Sequence, residues 1–124
     1  MERGSLGKFH DVLKSKMDEY VHLAYQLTKD FPKEEIYGIT SQLRRAAMSV
    51  VLNYIEGYAR KRRLVKINSF ETSYGSLQES KYLLKFCREV GWVKNASDRE
   101  KAVALSEEIS AMLWRTIEGL ERES

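Results

Sequence analysis

Five cations lie within seven positions of the chain: Arg60, Lys61, Arg62, Arg63 and Lys66. Such side chains bind phosphate, arginine through a planar fork of donors and lysine as a compact charge. The same residue types also settle at helix C-termini, where they complement the dipole and stay hydrated. The distribution of charge sharpens the contrast. Residues 39–66 carry Arg44, Arg45 and those five against one acid, Glu56, whereas residues 94–124 carry five basic and seven acidic side chains. The net charge of the chain is only +3, so placement and not total is what points to a polyanion. Repeated around a symmetric assembly, five cations per subunit build a dense positive field. No aromatic residue lies within 60–66, so base stacking is not expected there. Arg44 and Arg45 are second candidates for phosphate contact, weighed against ion pairs with Glu34 and Glu35.

Other chemistry is thin. Glu19 and His22 form a Glu-x-x-His, half of what a di-iron bundle site needs. The other histidine, His10, has glycine three positions earlier, so no second half exists. His22 also falls opposite the apolar seam of its helix on ideal geometry. No metal site and no cofactor are expected. Cys87 is the only cysteine, which excludes an intrachain disulfide and fits a reducing compartment. It reads as a buried structural thiol and not a nucleophile. No phosphate loop, nucleophile elbow or carboxylate cluster is present, and no enzymatic activity is expected. Gln42, Asn53 and Glu56 are polar positions on a largely apolar helix, expected to hydrogen-bond across helices or subunits.

The elements that carry these residues are helices. With one proline, Pro32, and seven scattered glycines among 124 residues, little interrupts them. The expected spans are about 11–29, 40–62, 66–90 and 98–120, after a loose start over 1–9. In the first, Leu13, Met17, Tyr20, Ala24 and Leu27 alternate four and three apart, the seam of a bundle helix. Pro32 ends that helix and opens a single turn over Lys33–Ile36. Thr40 or Ser41 is the expected cap of the second helix. The third carries Ile67, Phe70, Tyr74, Leu77 and Leu84 on one face, flanked by Ser73 and Ser80. Gly75 in its middle is expected to let a neighbouring helix approach closely. Gly91 is a C-terminal stop, and Ser97 with Glu100 reads as a capping box. The fourth helix presents Ala102, Leu105, Ile109, Met112, Leu113, Thr116 and Leu120. Four amphipathic helices with short links predict an all-α, up-down-up-down four-helix bundle in a single domain.

The second helix has two apolar faces. Leu43, Ala46, Ala47, Val50, Tyr54 and Gly57 share one; Met48, Leu52, Ile55 and Ala59 lie nearly opposite. A bundle core covers only one of them. The second stripe therefore predicts an oligomer interface.

Residues 31–63, FPKEEIYGITSQLRRAAMSVVLNYIEGYARKRR, resemble the signature of four-helix bundle proteins encoded in intervening sequences of bacterial large-subunit ribosomal RNA genes. The resemblance is carried by Phe31 to Glu35, Tyr37, Gly38, Thr40, Gln42 to Ala47, Ser49, Asn53, Glu56 and Gly57. It continues through Phe70, Tyr74, Gly75-Ser76-Leu77 and Glu79. It implies a small cytoplasmic protein that assembles into a ring-like homopentamer. It also implies a relation to accessory bundle proteins of retroelements, whose partners are nucleic acid and a reverse transcriptase. Leu52 departs from the family pattern, which often has a small polar residue or proline there, and makes the outer stripe more apolar.

The expected function is thus a non-catalytic, homo-oligomeric bundle that binds RNA or DNA or serves as a scaffold. The alternative is a protein-protein interaction scaffold without nucleic-acid binding. Residues 1–8 lack the apolar stretch of a signal peptide, and the longest apolar run, Ala46–Leu52, is interrupted by Ser49 and too short to span a bilayer. No membrane partner is expected.

Overall fold

The computed structural model describes residues 4–123. Helix α1 spans Gly4–Thr28, α2 Ile39–Ala59, α3 Arg63–Glu89 and α4 Ala96–Arg122, with a 3₁₀ turn at Lys33–Glu35. Among the described residues there is no strand. Cross-helix partners give the topology. His10 meets Tyr54 and Tyr25 meets Arg44, so α1 and α2 are antiparallel. Ser49 meets Ser76 and Val50 meets Ser73, so α2 and α3 are too. Tyr74 meets Trp114 and Lys81 meets Glu107 between α3 and α4. Lys16 meets Glu108 between α1 and α4. The helices therefore run up-down-up-down, each packed along its length on two neighbours.

The core follows the seams read from spacing. Leu13, Met17, Tyr20, Ala24 and Leu27 are all buried, as are Leu43, Ala46, Ala47, Val50, Tyr54 and Gly57. Ser73 and Ser80, expected at the flank, are fully buried in the centre. Both are satisfied: Ser73 donates to the Val50 carbonyl at 2.6 Å, and Ser80 donates to the Leu77 carbonyl at 2.8 Å. The Tyr20 hydroxyl then donates to Ser80 Oγ at 2.6 Å, a diagonal link from α1 to α3. Burial pushes the Tyr20 phenol up to about 12, partly offset by that hydrogen bond, so it stays a donor.

Helix ends depart from expectation more than helix faces do. Residues 4–9, expected to be loose, are helical; residues 1–3 lie outside the described part of the chain. Neither Thr40 nor Ser41 caps α2. Its N-cap is Gly38, and Glu35 Oε1 accepts from the Ile39 amide at 3.2 Å. A Cβ at Gly38 would stand 2.7 Å from that same oxygen, so a glycine clears the way for a carboxylate cap on orphan amides. The α4 cap is Asn95, accepting from the Asp98 amide at 3.0 Å, two positions before the expected Ser97. Gly91, at φ 82°, ends the α3 hydrogen bonds as read, with Trp92 N–H donating to the Cys87 carbonyl and Gly91 N–H to that of Arg88. Close helix approach is made by Gly57 and not by Gly75, whose Cβ position is open.

Cys87 is fully buried. Burial first, and the Glu35 carboxylate second, push its thiol up to about 11. Almost none of it is then ionised at pH 7, and the thiolate is the reactive form. Labelling by an aromatic disulfide reagent is expected to proceed at the rate of global unfolding. Complete reaction within seconds under native conditions would place Cys87 in an opening segment instead.

Candidate nucleic-acid interface

The basic run is neither the end of one helix nor a uniform patch. Helix α2 stops at Ala59, three residues before its expected end, and α3 begins at Arg63, three before its expected start. Arg60 caps α2 in an extended conformation (φ −77°, ψ 152°), its amide donating to the Gly57 carbonyl. Arg62 is the extended N-cap of α3 (φ −80°, ψ 133°). Gly57 makes this tight turn possible. A Cβ there would fall 2.5 Å from the Phe70 ring, so α2 and α3 meet at van der Waals contact just before the chain reverses.

The five cations have three different situations. Lys66 Nζ donates to the Tyr58 carbonyl at 3.0 Å and the Gly57 carbonyl at 3.3 Å, and lies 5.7 Å from the Tyr58 ring centroid. It is a cap on the α2 C-terminus. Arg63 Nη1 donates to the Leu120 carbonyl at 3.4 Å, near the C-terminus of α4. Arg60 reaches Glu56 at 3.6 Å, with both side chains about half exposed, a weak pairing in water. Lys61 and Arg62 are exposed, and their side chains have no ion-pair or hydrogen-bond partner among the described residues. The dipole-complementing account thus covers Lys66 and Arg63 and leaves Lys61 and Arg62 to solvent. No acid stands in the first turn of α3 to neutralise its positive pole.

Arg44 and Arg45 do not join this site. Fifteen helical positions separate Arg45 from Arg60, about 22 Å along α2. Arg44 Nε donates to Thr28 Oγ1 at 2.7 Å, and its guanidinium stacks 4.7 Å from the Tyr25 ring centroid. It pairs with neither Glu34 nor Glu35. Arg45 is exposed, in a polar groove between α2 and α3 with Tyr37, Gln42, Ser49, Ser76 and Glu79. Gln42 and Glu56, expected to bond across helices or subunits, are surface residues of the single chain and bond across no helix among the described residues. Asn53 bonds within its own helix, to the Ser49 carbonyl and hydroxyl; the cross-helix bond is between Ser49 and Ser76 at 2.8 Å. His22 is exposed, with Nδ1 2.8 Å from the Asp18 carbonyl. Of the outer stripe, Leu52 is 56% exposed and Ile55 43%. Ala59 is also exposed, and Met48 is half-buried against the core.

Spacing along the chain did not disclose a cavity of about 480 Å³ at this end of the bundle. Phe9 and His10 come from α1, Tyr54 and Tyr58 from α2, and Phe70 from α3. The His10 and Tyr58 rings stack at 3.6 Å with 12° between their planes, and Tyr54 stacks on Phe70 at 5.3 Å. His10 Nδ1 lies 2.8 Å from the Tyr54 hydroxyl. Burial first, then the neighbouring Tyr58 and Asp11, raise the Tyr54 phenol well above its ordinary range. Lys66, in the first turn of α3, caps the C-terminus of α2 and also lines the cavity wall. The signal in the sequence was the aromatic content of the two flanking helices, not of the window 60–66.

Comparison with known proteins agrees with the topology. A family model described as 23S rRNA-intervening sequence protein matches residues 11–115. The chain is also similar to the crystal structure of a protein of unknown function from the S23 ribosomal protein family of Bacteroides thetaiotaomicron. The TM-score is 0.79 at 22% identity, over 89% of this chain and 98% of that one. At that identity the likeness is one of fold. Among curated proteins none matches.

Proposed function

The chain belongs to the 23S rRNA-intervening sequence protein family, and from that premise we propose that it is a non-catalytic, homo-oligomeric bundle that binds nucleic acid through the turn joining α2 to α3. The observation that carries the reading is the exposure of Lys61 and Arg62 without partners beside a weakly paired Arg60. Cations that a fold needs are engaged by it, as Lys66 and Arg63 are. These three remain available to phosphate. The reading includes assembly through the outer stripe into a ring, with five subunits in keeping with the family resemblance. A ring sets one such turn per subunit around a single axis. The setting is cytoplasmic, where a family named for ribosomal RNA genes meets RNA. Among the described residues no helix is long and apolar enough to cross a membrane.

Each phosphate neutralised by such a turn releases condensed counterions, so log affinity should fall linearly with log salt, by about 0.7 per contact for single strands and about 0.9 for duplex. Changing Arg60, Lys61 and Arg62 together to glutamine is expected to keep helicity and assembly size, since none holds a helix end through its side chain. It should weaken binding to RNA and DNA alike and lower the salt slope by about three contacts per engaged subunit. Fluorescence anisotropy of a labelled oligonucleotide across a salt series reads both. Absence of binding by the wild-type protein at about 50 mM salt, where such contacts are strong, would overturn the reading. A salt-insensitive protein partner would then take the place of nucleic acid.

A further inference from the structure

The cavity lies next to the basic turn, with Lys66 between them. Lys66 lines the cavity while capping the helix that leads into the turn, and Arg63 holds the carbonyl of Leu120, itself a wall residue. The walls are unlike an ordinary bundle end. Five aromatic side chains from three helices converge there, and Arg115 of α4 lies 5.8 Å from the Phe9 ring centroid. Two cations, Lys66 and Arg115, face one acid, Glu123. The volume, about 480 Å³, falls within the range of small-molecule sites, which are apolar with a few convergent polar groups. Aromatic walls with a positive rim suit a planar ring that carries negative charge. An aliphatic ligand would make no use of the third Lys66 N–H, which the Gly57 and Tyr58 carbonyls leave over, and a bare phosphate would make no use of the rings.

We propose that this cavity receives a nucleobase attached to its phosphate, with the ring among Phe9, His10, Tyr54, Tyr58 and Phe70 and the phosphate toward Lys66, Arg115 and the basic turn. The inference rests on the nucleic-acid reading above and adds that binding is selective for unpaired bases. A base inside a duplex cannot enter, because its faces are already stacked. Two sources present the same chemistry: a base splayed out of a single strand, and a free nucleotide.

Gly119 supplies the test. It lines the cavity, and a Cβ at that position meets nothing within 4 Å. Gly119→Phe therefore places a ring in open space, in a helix that gains from losing a glycine. Circular dichroism and light scattering check that the variant folds and assembles. The probes are a labelled oligouridylate and an abasic strand of equal length and charge, compared by anisotropy. The wild-type protein is expected to bind the base-bearing strand about tenfold more tightly, the scale of one base stacked on aromatic side chains. Gly119→Phe is expected to bring that strand down to the level of the abasic one. Uridine monophosphate is titrated in parallel by NMR. Shifts confined to His10, Tyr58 and Gly119 with competition against the strand assign the site to a free nucleotide. Strand preference without such shifts assigns it to a splayed base. Equal binding of both strands by the wild-type protein, with no nucleotide shifts, would overturn the cavity and leave the basic turn standing. Binding of neither strand would overturn the turn as well.

Discussion

Gly57→Ala is expected to lower the melting temperature of the protein, whereas Gly75→Ala raises it. Both glycines are helical, and alanine is the better helix former by about 0.5–1 kcal/mol. The surroundings reverse the sign at one of them. A Cβ at Gly57 would lie 2.5 Å from Phe70 Cε1, 2.7 Å from Cδ1 and 3.0 Å from Ser69 Cβ. Phe70 cannot step aside, being 3% exposed and stacked on Tyr54. Either the ring leaves its place or α2 and α3, the most extensively packed pair of helices, move apart there. Overpacking of this kind costs about 1–3 kcal/mol, more than the gain in propensity. At Gly75 nothing lies within 4 Å, so only the gain remains. For a chain of this size each kcal/mol moves the midpoint by about 4 °C. The two variants should therefore fall on opposite sides of the wild type by several degrees at matched protein concentration, the condition that the proposed assembly imposes. A neutral or stabilising Gly57→Ala would mean that the helices do not meet there.

What the sequence disclosed and what it hid divide along a physical line. The buried faces were legible because burial repeats every three to four residues, and Leu13 to Leu27 or Leu43 to Gly57 carry that period without interruption. The junction between α2 and α3 was not, because its stop signal is tertiary. Nothing in Ala59-Arg60-Lys61-Arg62-Arg63 breaks a helix locally. The chain turns because α3 packs back on α2 at Gly57, and Lys66 then satisfies the carbonyls left open. The α2 cap came from Glu35, four residues before the amide it accepts from. The candidate site followed the same rule. A run of cations is contiguous and was visible at once, but which of them are engaged depends on carbonyls at Gly57, Tyr58 and Leu120. The aromatic cavity draws on Phe9, Tyr54 and Phe70, positions too far apart for any window to join. The same long range accounts for the absence of aromatic signal within 60–66.

Leu52→Glu is expected to convert the proposed ring into smaller species that keep their helices. Leu52 is 56% exposed and Ile55 43% in the isolated subunit, and Ala59 continues the stripe toward the basic turn. None of the three helps to close the subunit's own core, so a charge there costs the fold little. In the proposed ring the same position is covered. Burying a leucine side chain contributes about 1.5–3 kcal/mol, and a glutamate in its place must also lose its hydration. A loss of about 2 kcal/mol at one contact lowers its association constant about thirtyfold. In a closed ring the substitution recurs at every interface, so the losses accumulate around the ring and dissociation should be complete at micromolar concentration. Phosphate contact would weaken in parallel, because one subunit presents a single turn where a ring presents several. Size-exclusion chromatography with light scattering gives the mass, and circular dichroism gives the helicity of each species. A native-sized assembly from Leu52→Glu would move the interface to another face, with the polar groove around Tyr37, Arg45 and Glu79 the next to test. A wild-type protein that is monomeric at the same concentration would remove the ring from the proposed function and leave each basic turn to act alone.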